Sequence, residues 1–159
     1  VVTADIGPLR VMTTHLEYYS HQQRERQIDA IRRLHVEACA MSVRNLRGEE
    51  QGGAFEAFPR PKQALLCGDL NFPAAAPERM QILAPFTAGV PNFNDAWSVL
   101  HPGQVHAPTV GIHPVDFVDR PECFDYVFIT DGLVSHLKAH GIDATTEASD
   151  HQPIWVELA

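Results

Sequence analysis

Residues 63–71 read Gln-Ala-Leu-Leu-Cys-Gly-Asp-Leu-Asn, a short apolar run followed by polar residues. A run of this length and composition is typical of a strand that is buried inside a sheet. It breaks at Gly68-Asp69, so polar side chains follow at the point where the strand ends. The segment therefore predicts a central strand over residues 63–68, with Asp69 and Asn71 just beyond its carboxyl end.

A long helix is predicted before this strand. Ser20 and Gln23 match a capping box, in which a hydroxyl and an amide side chain close the first helical turn. Gly48 is the expected end, because glycine is favoured just after a helix. Between these positions, apolar residues recur at the three- and four-residue spacing of one buried stripe: Ile28, Ile31, Leu34, Ala38 and Met41.

The remaining segments alternate short strands, turns and helices. We predict a hairpin of Val1–Ile6 and Leu9–Leu16 around Gly7-Pro8, short helices over Pro77–Leu83 and Asp95–Leu100, a hairpin of Asp125–Thr130 and Leu133–Leu137 around Asp131-Gly132, and a last strand over Pro153–Leu158. Residues 49–62 and 102–123 are predicted loops. A loop as long as the second is usually functional, or it contains an element that the pattern has missed. Intermixed helices and strands with antiparallel neighbours predict an α/β fold with a mixed sheet.

The composition is that of one globular domain. Of the 159 residues, 45% are hydrophobic and 20% are charged, which excludes disordered and collagen-like chains. No apolar run reaches the roughly 20 residues of a transmembrane helix. The net charge of −8 argues against a polyanion clamp, although a bound divalent cation would still allow a phosphate substrate. Cys39, Cys67 and Cys123 form no CxxC pair, which indicates a reducing, cytoplasmic compartment and no structural zinc site.

Polar side chains gather where the predicted strands begin or end. His15 ends one strand, Asp69 and Asn71 follow the central strand, Asp125 begins a third, and Asp150-His151 precede the last. Strand ends on a rigid sheet are common positions for catalytic groups. Carboxylates bind hard divalent cations, Asp and Asn orient water, and histidine exchanges protons near neutral pH. The set therefore predicts metal-assisted phosphoryl chemistry.

Simpler interpretations compete with a functional one at several positions. An Asp after a strand often caps a turn or helix, and Asp95 is best interpreted as the N-cap of the helix that follows it. His101, His106 and His113 form a second candidate metal set, but ligand sets usually have tighter spacing. The other histidines are expected at the surface or in strands: His21, His35, His136 and His140.

The motifs follow one another in a recognisable order: Thr14-His15-Leu16, Gly68-Asp69-Leu70-Asn71, Asp95-Ala96-Trp97, Phe124-Asp125-Tyr126 and Ser149-Asp150-His151-Gln152-Pro153. This order resembles the endonuclease/exonuclease/phosphatase (DNase I-like) superfamily. The resemblance implies a four-layer α/β sandwich, in which two mixed sheets pack face to face with helices outside. Residues 1–159 would be its C-terminal portion, with the N-terminal half absent: a mixed, mainly antiparallel sheet with helices on one face.

The resemblance also implies roles for the residues that match. His15 would contact the scissile phosphate, and Asp69 would orient or deprotonate the attacking water with help from Asn71. His151, held in its tautomer by Asp125, would stabilise the phosphate or act as the base, so the identity of the base stays open.

Two further roles are implied, one for the metal and one for the substrate. Asp150 would contribute to binding a divalent cation, with Mg²⁺ as the implied metal and Mn²⁺ as a substitute that acts as a Lewis acid. Thr109, in the Pro-rich loop, matches a family threonine that would contact the substrate phosphate.

The chain departs from the family pattern in two respects. Cys123 stands where many nucleases of the family have an arginine, which puts a nuclease-like phosphate contact in doubt. The metal-binding Asn and Glu of the family precede the His15 strand, in the half that this chain lacks. Glu17 is too close to His15 to replace that Glu.

The implied activity is a divalent-metal-dependent phosphoesterase, which would be a phosphodiesterase, a phosphatase or a nuclease. Its substrate would be a nucleic acid, a lipid head group or a small phosphodiester. The alternative is a catalytically incomplete fragment, or a non-catalytic binding domain of the same fold. Tyr18 and Tyr19 would either stack on a base or pack under the helix, and packing is the favoured interpretation.

Half of a sandwich would also leave an apolar sheet face uncovered, with alternate residues such as Val127 and Ile129 or their neighbours on it. An apolar face of that size is an association surface in a soluble protein, so the chain is expected to form a homodimer through it or to be a piece of a longer chain.

Overall fold

The structure, a computed structural model, describes residues 6–42, 60–116 and 118–159. In chain order its elements are β1 (Arg10–His15), α1 (His21–Ser42), β2 (Ala64–Asp69), α2 (Pro77–Leu83), β3 (Phe93–Asp95), α3 (Ala96–Leu100), β4 (Asp125–Thr130), a 3₁₀ helix (Asp131–His136), β5 (Leu137–Ile142) and β6 (Ile154–Leu158). No described helix is both long enough and apolar enough to span a membrane. The mixed α/β class is confirmed.

Two sheets are formed by the described strands. The larger has four strands in the order β1-β2-β4-β3, and the smaller pairs β5 with β6. Strand β2 runs parallel to β1 and antiparallel to β4, while β3 and β4 are also antiparallel. The predicted central strand is therefore confirmed, because β2 has a partner on both sides.

The two longer helices cover one face of the four-stranded sheet. Leu66 of β2 and Phe128 of β4 point to this face and are almost completely buried with Ile28 of α1 and Ile82 of α2. Burying a side chain of this size contributes about 1.5–3 kcal/mol. This cluster fixes α1 and α2 on the sheet, as the predicted architecture requires.

The opposite face is covered in part by the β5–β6 hairpin. Val127 and Ile129 of β4 pack with Leu133 and Leu137, and with partly buried residues of α3 and β6. Val127 is 4% exposed and Ile129 is 0% exposed. The expectation that Val127 and Ile129 lie on an uncovered face is therefore wrong, because residues 133–158 fold back over β4. Val11 at the β1 edge is 60% exposed.

Helix α1 begins as predicted, but its buried stripe is shifted. Ser20 caps it, since its Oγ accepts a hydrogen bond from the Gln23 amide at 3.3 Å. Leu34, expected inside, is 58% exposed, whereas His35, expected at the surface, is completely buried. His35 fits there because Nε2 lies 2.9 Å from the Pro91 carbonyl and its ring packs against Phe93. The expected end at Gly48 lies outside the described residues.

The predicted hairpin around Asp131-Gly132 is wrong. The Asp131 carboxylate instead accepts hydrogen bonds from the Asn92 backbone amide and the Asn94 side chain, at 2.8 and 2.9 Å. Residues 131–136 form the 3₁₀ helix, and β5 pairs with β6 rather than with β4. These contacts to β3 outweigh the local turn preference.

The other elements agree with the sequence or extend it. Helix α2 has the predicted bounds, and Asp95 caps α3 by accepting from the Trp97 and Ser98 amides. Strand β3, only three residues long, is missed by the periodicity. The first strand of the predicted N-terminal hairpin falls mostly on residues 1–5, and most of the 49–62 loop falls on residues 49–59, outside the described part of the chain.

Candidate active site

Strand register brings three of the predicted site residues to one edge of the sheet. His15 ends β1 and pairs with Asp69, which ends β2, while Asp69 also pairs with Asp125, which begins β4. The parallel β1–β2 pair and the antiparallel β4 thus place one histidine and two carboxylates on adjacent strands. His15 is largely solvent-exposed, whereas Asp69 and Asp125 are mostly buried.

Gly68 makes this close approach possible. Its φ is 141°, in a region that favours glycine, and it pairs with Thr14 of β1. A Cβ atom at this position would lie 1.9 Å from the Thr14 carbonyl oxygen. The glycine directly before Asp69 is therefore required by backbone packing.

Asp69 has one carboxylate oxygen bound within the loop and one facing the histidines. Oδ1 accepts a hydrogen bond from the Asn71 amide at 2.9 Å. Oδ2 lies 3.5 Å from Nε2 of His15 and 3.6 Å from Nε2 of His151. Burial raises the pKa of Asp69, and the nearby Asp125 carboxylate adds to the increase, against the Asn71 hydrogen bond and the two histidines. A raised pKa makes Asp69 a stronger base.

Asn71 organises the loop after β2. It has a φ of 54°, which is uncommon for a residue other than glycine but more accessible to asparagine. Its side-chain Nδ2 donates to the Leu16 carbonyl at 2.8 Å, and the residue is buried. This contact ties the segment after His15 to the loop that carries Asp69.

His151 is held by Asp125 and Thr109. Nδ1 of His151 lies 2.8 Å from Oδ2 of Asp125, and the Thr109 hydroxyl donates to the same oxygen at 2.6 Å. Because an ionised carboxylate only accepts, Nδ1 carries the hydrogen and Nε2 faces Asp69. The Thr109 Oγ also accepts from the amides of Phe124 and Asp125, and the residue is 1% exposed. Thr109 therefore lies behind Asp125.

The pKa of His151 is raised by its surroundings. Burial by itself favours the neutral imidazole and lowers this pKa, but the hydrogen bond to Asp125 and the negative charges of Asp125, Asp69 and Asp150 outweigh it. The protonated ring therefore persists to a higher pH than in a free histidine, beside two mostly buried carboxylates.

Replacing Asp125 with asparagine is expected to lower the pKa of His151, because burial remains while the strongest attraction to the imidazolium is lost. Titration of the His151 ring by NMR in metal-free protein measures this. Asp150→Asn is the matched control, since Asp150 is exposed and its charge is the smallest of the three that raise this pKa. An equal or higher pKa in Asp125→Asn would contradict the described contact.

The donor set at this edge fits a divalent cation. One ligand atom is offered by each of Asp69 and Asp125, and by His151 when its ring is neutral; these atoms lie within 4.8 Å of one another. Two carboxylates suit a hard cation such as Mg²⁺, and an imidazole is also accepted by Mn²⁺. Asp150, the expected metal ligand, is exposed, and its Oδ1 accepts from the Ser149 hydroxyl at 3.2 Å.

The second candidate metal set is not brought together in the described residues. His106 instead contacts Asp95 at 2.7 Å, and His101 packs on the ring of Trp97. Asp95 also accepts from Arg79 at 2.7 Å. Burial by itself would raise the pKa of Asp95, but the contacts with His106 and Arg79 outweigh it, so this pKa is lowered. Asp95 is therefore a buried cap and ion-pair partner.

Two features next to the site were not predicted from sequence. Arg24 of α1 pairs with buried Glu78 of α2 at 2.9 Å, and the contact depends on the packing of two helices. Cys123 is also buried; burial raises its pKa to about 12, so the thiol is neutral at pH 7. The position that holds arginine in many family nucleases thus contains an uncharged side chain.

Comparison with known proteins supports the fold through structure. No family model matches the sequence, and no curated protein matches it. An endonuclease/exonuclease/phosphatase from Bacteroides vulgatus is similar in structure, with a TM-score of 0.60 and 19% identity over 94% of this chain and 49% of that one.

Two proteins of Bacteroides thetaiotaomicron are also similar. A mannosyl-6-phosphatase has a TM-score of 0.58 and 16% identity, over 94% of this chain and 50% of that one. An endonuclease/exonuclease/phosphatase family protein has a TM-score of 0.57 and 16% identity, over 93% and 49%. The chain spans about half the length of these proteins, and over that half it has the mixed α/β fold of the endonuclease/exonuclease/phosphatase family.

Proposed function

We propose that the protein is a divalent-metal-dependent phosphoesterase. The observation that carries this proposal is the convergence of Asp69, Asp125 and His151 beside exposed His15 at one sheet edge. Two mostly buried carboxylates and a histidine, with raised pKa values at Asp69 and His151, are suited to hydrolysis of a phosphate ester. The fold shared with endonuclease/exonuclease/phosphatase proteins, one of them a mannosyl-6-phosphatase, supports the same class.

In this proposal the two histidines bind the phosphoryl group. Protonated His151 donates from Nε2 to a phosphoryl oxygen, while Asp125 keeps the hydrogen on Nδ1 and fixes the ring. His15, at 3.5 Å from Asp69 and largely exposed, contacts the same group from the other side. Thr109 is proposed to act through Asp125, since its hydroxyl is already bonded there.

Asp69 is proposed as the group that takes the proton from water. The position of its Oδ2, 3.5 Å from His15 and 3.6 Å from His151, supports this role. Without a cation its pKa is raised, and the raised pKa of His151 makes that ring the weaker candidate for the base. Asn71 is proposed to position the water indirectly. Its backbone N–H holds the Asp69 carboxylate, and its side-chain amide holds the segment after His15.

Asp69 and Asp125 would hold the divalent cation, with Mg²⁺ as the proposed metal, Mn²⁺ as a substitute and Asp150 as a further ligand. When bound, the cation would supply positive charge to the phosphoryl oxygens. This charge is needed because the chain has a net charge of −8.

Residues 1–159 are proposed to form the C-terminal portion of one such domain. We propose that the face of β1 and β2 around exposed Val11 associates with further chain or with a second copy. The three free cysteines of the described residues support the proposed cytoplasmic location. The substrate is proposed to be a nucleic acid, a lipid head group or a small phosphate ester.

A second candidate is a binding domain without catalysis. The observation that favours it is the position of Asp150: the expected metal ligand is exposed and is not part of the cluster of Asp69, Asp125 and His151 in the described residues. It predicts that phosphate esters bind but are not hydrolysed.

The test is hydrolysis of 4-nitrophenyl phosphate and bis(4-nitrophenyl) phosphate by the longest form of the protein that its gene encodes. We expect a Mg²⁺-dependent rate that falls at least about 100-fold with a chelator and returns with Mg²⁺ or Mn²⁺. A rate that is independent of metal would contradict the mechanism. Binding of the esters without hydrolysis would favour the second candidate.

A further inference from the structure

Tyr19 is the most exposed aromatic side chain described in the structure. Its ring is 91% exposed, although it lies only four residues after His15. At 3.8 Å between consecutive Cα atoms, the two residues are no more than about 15 Å apart. Exposing a large aromatic ring to water costs free energy. A role in ligand binding would explain why such a ring is exposed close to the candidate site.

The segment that carries Tyr19 is fixed at both ends. On the side of the site, the Leu16 carbonyl accepts from Asn71 at 2.8 Å. On the side of α1, Arg24 donates to the carbonyls of Glu17 and Tyr18 at 3.0 and 2.8 Å. The Glu17 carboxylate accepts from the Tyr19 amide at 2.9 Å. The backbone below the exposed ring is therefore held by four hydrogen bonds.

Arg24, which holds the carbonyls of Glu17 and Tyr18, is itself fixed. Arg24 also donates from Nε and Nη2 to Glu78, at 3.1 and 2.9 Å, and the Glu78 side chain is 2% exposed. A charge pair this well buried and hydrogen-bonded has little freedom to move. These contacts therefore hold the backbone that carries Tyr19 in place before any ligand binds.

The orientation of the ring connects it to the site. The Tyr19 and Tyr18 rings meet edge to face, with centroids 5.0 Å apart, and Tyr18 contacts Phe124 at 6.5 Å. Phe124 directly precedes Asp125. Two ring contacts thus link Tyr19 to the strand that carries a catalytic carboxylate, and they support the ring from one side while its rest faces solvent.

We propose that Tyr19 forms a ring-stacking subsite, which binds the ring of a ring-bearing phosphate ester while the phosphate lies near His15 and His151. A flat aromatic side chain stacks on nucleobases and on the apolar faces of sugars, and a fixed backbone reduces the entropy lost on binding. This inference rests on the proposed function, because it assigns the part of the substrate next to the phosphate.

The experiment measures binding separately from hydrolysis. Adenosine 5′-monophosphate, glucose 6-phosphate and glycerol 3-phosphate are titrated into wild-type, Tyr19→Ala, Tyr19→Phe and Tyr19→Trp proteins by NMR. Trp155→Ala is the matched control, since Trp155 is also exposed, at 51%, but lies on β6. Because Tyr19 is exposed, its variants are expected to melt at the wild-type temperature.

We expect Tyr19→Ala to weaken binding of at least one ring-bearing ester about tenfold and to leave glycerol 3-phosphate unchanged. Phe and Trp variants and the Trp155→Ala control should bind like wild type. A loss with the nucleotide alone identifies a nucleobase subsite, and a loss with the hexose phosphate alone identifies a sugar subsite.

Equal weakening for glycerol 3-phosphate, no weakening for either ring, or no binding of either ring-bearing ester would overturn the inference. Binding that depends on Tyr19 in a protein that hydrolyses none of the probes would instead support the subsite and refute the proposed activity. If Tyr19→Ala hydrolyses the ring-bearing probes as wild type does, the proposed activity is supported and the subsite is refuted.

Discussion

Replacing His151 with alanine is expected to lower kcat for metal-dependent phosphoester hydrolysis by about 10²–10⁴-fold, the usual effect of losing a general acid or base. The variant removes the imidazole that faces Asp69. In the described residues, the Thr109 hydroxyl then remains as the side-chain partner of the Asp125 carboxylate. Steady-state kinetics on the aryl phosphates, with thermal melting to confirm folding, measures the effect.

The control is His136→Ala, because His136 lies on the 3₁₀ helix and contacts the Ala159 carbonyl at 3.0 Å. Its rate should equal wild type. At saturating Mg²⁺, where the proposed cation-binding role of Asp125 does not limit the rate, adding Asp125→Asn to His151→Ala should cause little further loss, because Asp125 is also proposed to act through His151. Two fully additive losses, or a His151→Ala rate equal to wild type, would show that the pair does not work as one unit.

Replacing Gly68 with alanine is expected to lower the free energy of unfolding by about 2–5 kcal/mol, from an unfavourable φ and from overpacking. The φ of 141° favours glycine, and the new Cβ would lie 1.9 Å from the Thr14 carbonyl oxygen. Strand β1 would have to move away from β2, which separates His15 from Asp69. Urea unfolding measures the loss, and the soluble fraction should also lose activity.

Gly103→Ala separates the two causes. Gly103 also has a positive φ, of 76°, but a Cβ there would meet nothing within 4 Å. Its loss should be about 1–2 kcal/mol, the cost of the left-handed conformation alone. If Gly68→Ala were no more destabilising than Gly103→Ala, the close contact between β1 and β2 would be wrong.

Local signals in the sequence were sufficient where neighbouring residues decide the structure. The apolar run before Gly68 predicted β2, and proline with helix-forming residues predicted α2. The N-cap role of Asp95 was also predicted, because capping involves only the next three residues. These features need no knowledge of the rest of the chain.

Prediction failed where distant residues decide. The spacing in α1 permits Leu34 or His35 to face inward, and the Pro91 carbonyl and Phe93 ring favour the histidine. The turn preference of Asp131-Gly132 is outweighed by Asn92 and Asn94. Both choices depend on partners far along the chain.

The candidate site shows the same division. Polar residues at predicted strand ends supplied His15, Asp69, Asp125 and His151, and the resemblance supplied their roles. Strand register explains why the first three are neighbours. The position of Thr109 required the structure, because the 102–123 loop reaches His151 through a backbone bridge at Val110. The sequence favours packing of Tyr19 under α1. In the structure the Glu17 carboxylate accepts from its backbone amide, and the residue is exposed to solvent.

The most direct test of the central claim is the hydrolysis rate of Asp69→Asn beside wild type across a Mg²⁺ titration, in the longest form that the gene encodes. This substitution keeps the side-chain size but removes the proposed base and a metal-binding charge. We predict a loss of about 10²–10⁴-fold in kcat/KM together with a higher Mg²⁺ concentration for half-maximal rate. A wild-type rate with an unchanged Mg²⁺ dependence would contradict the account.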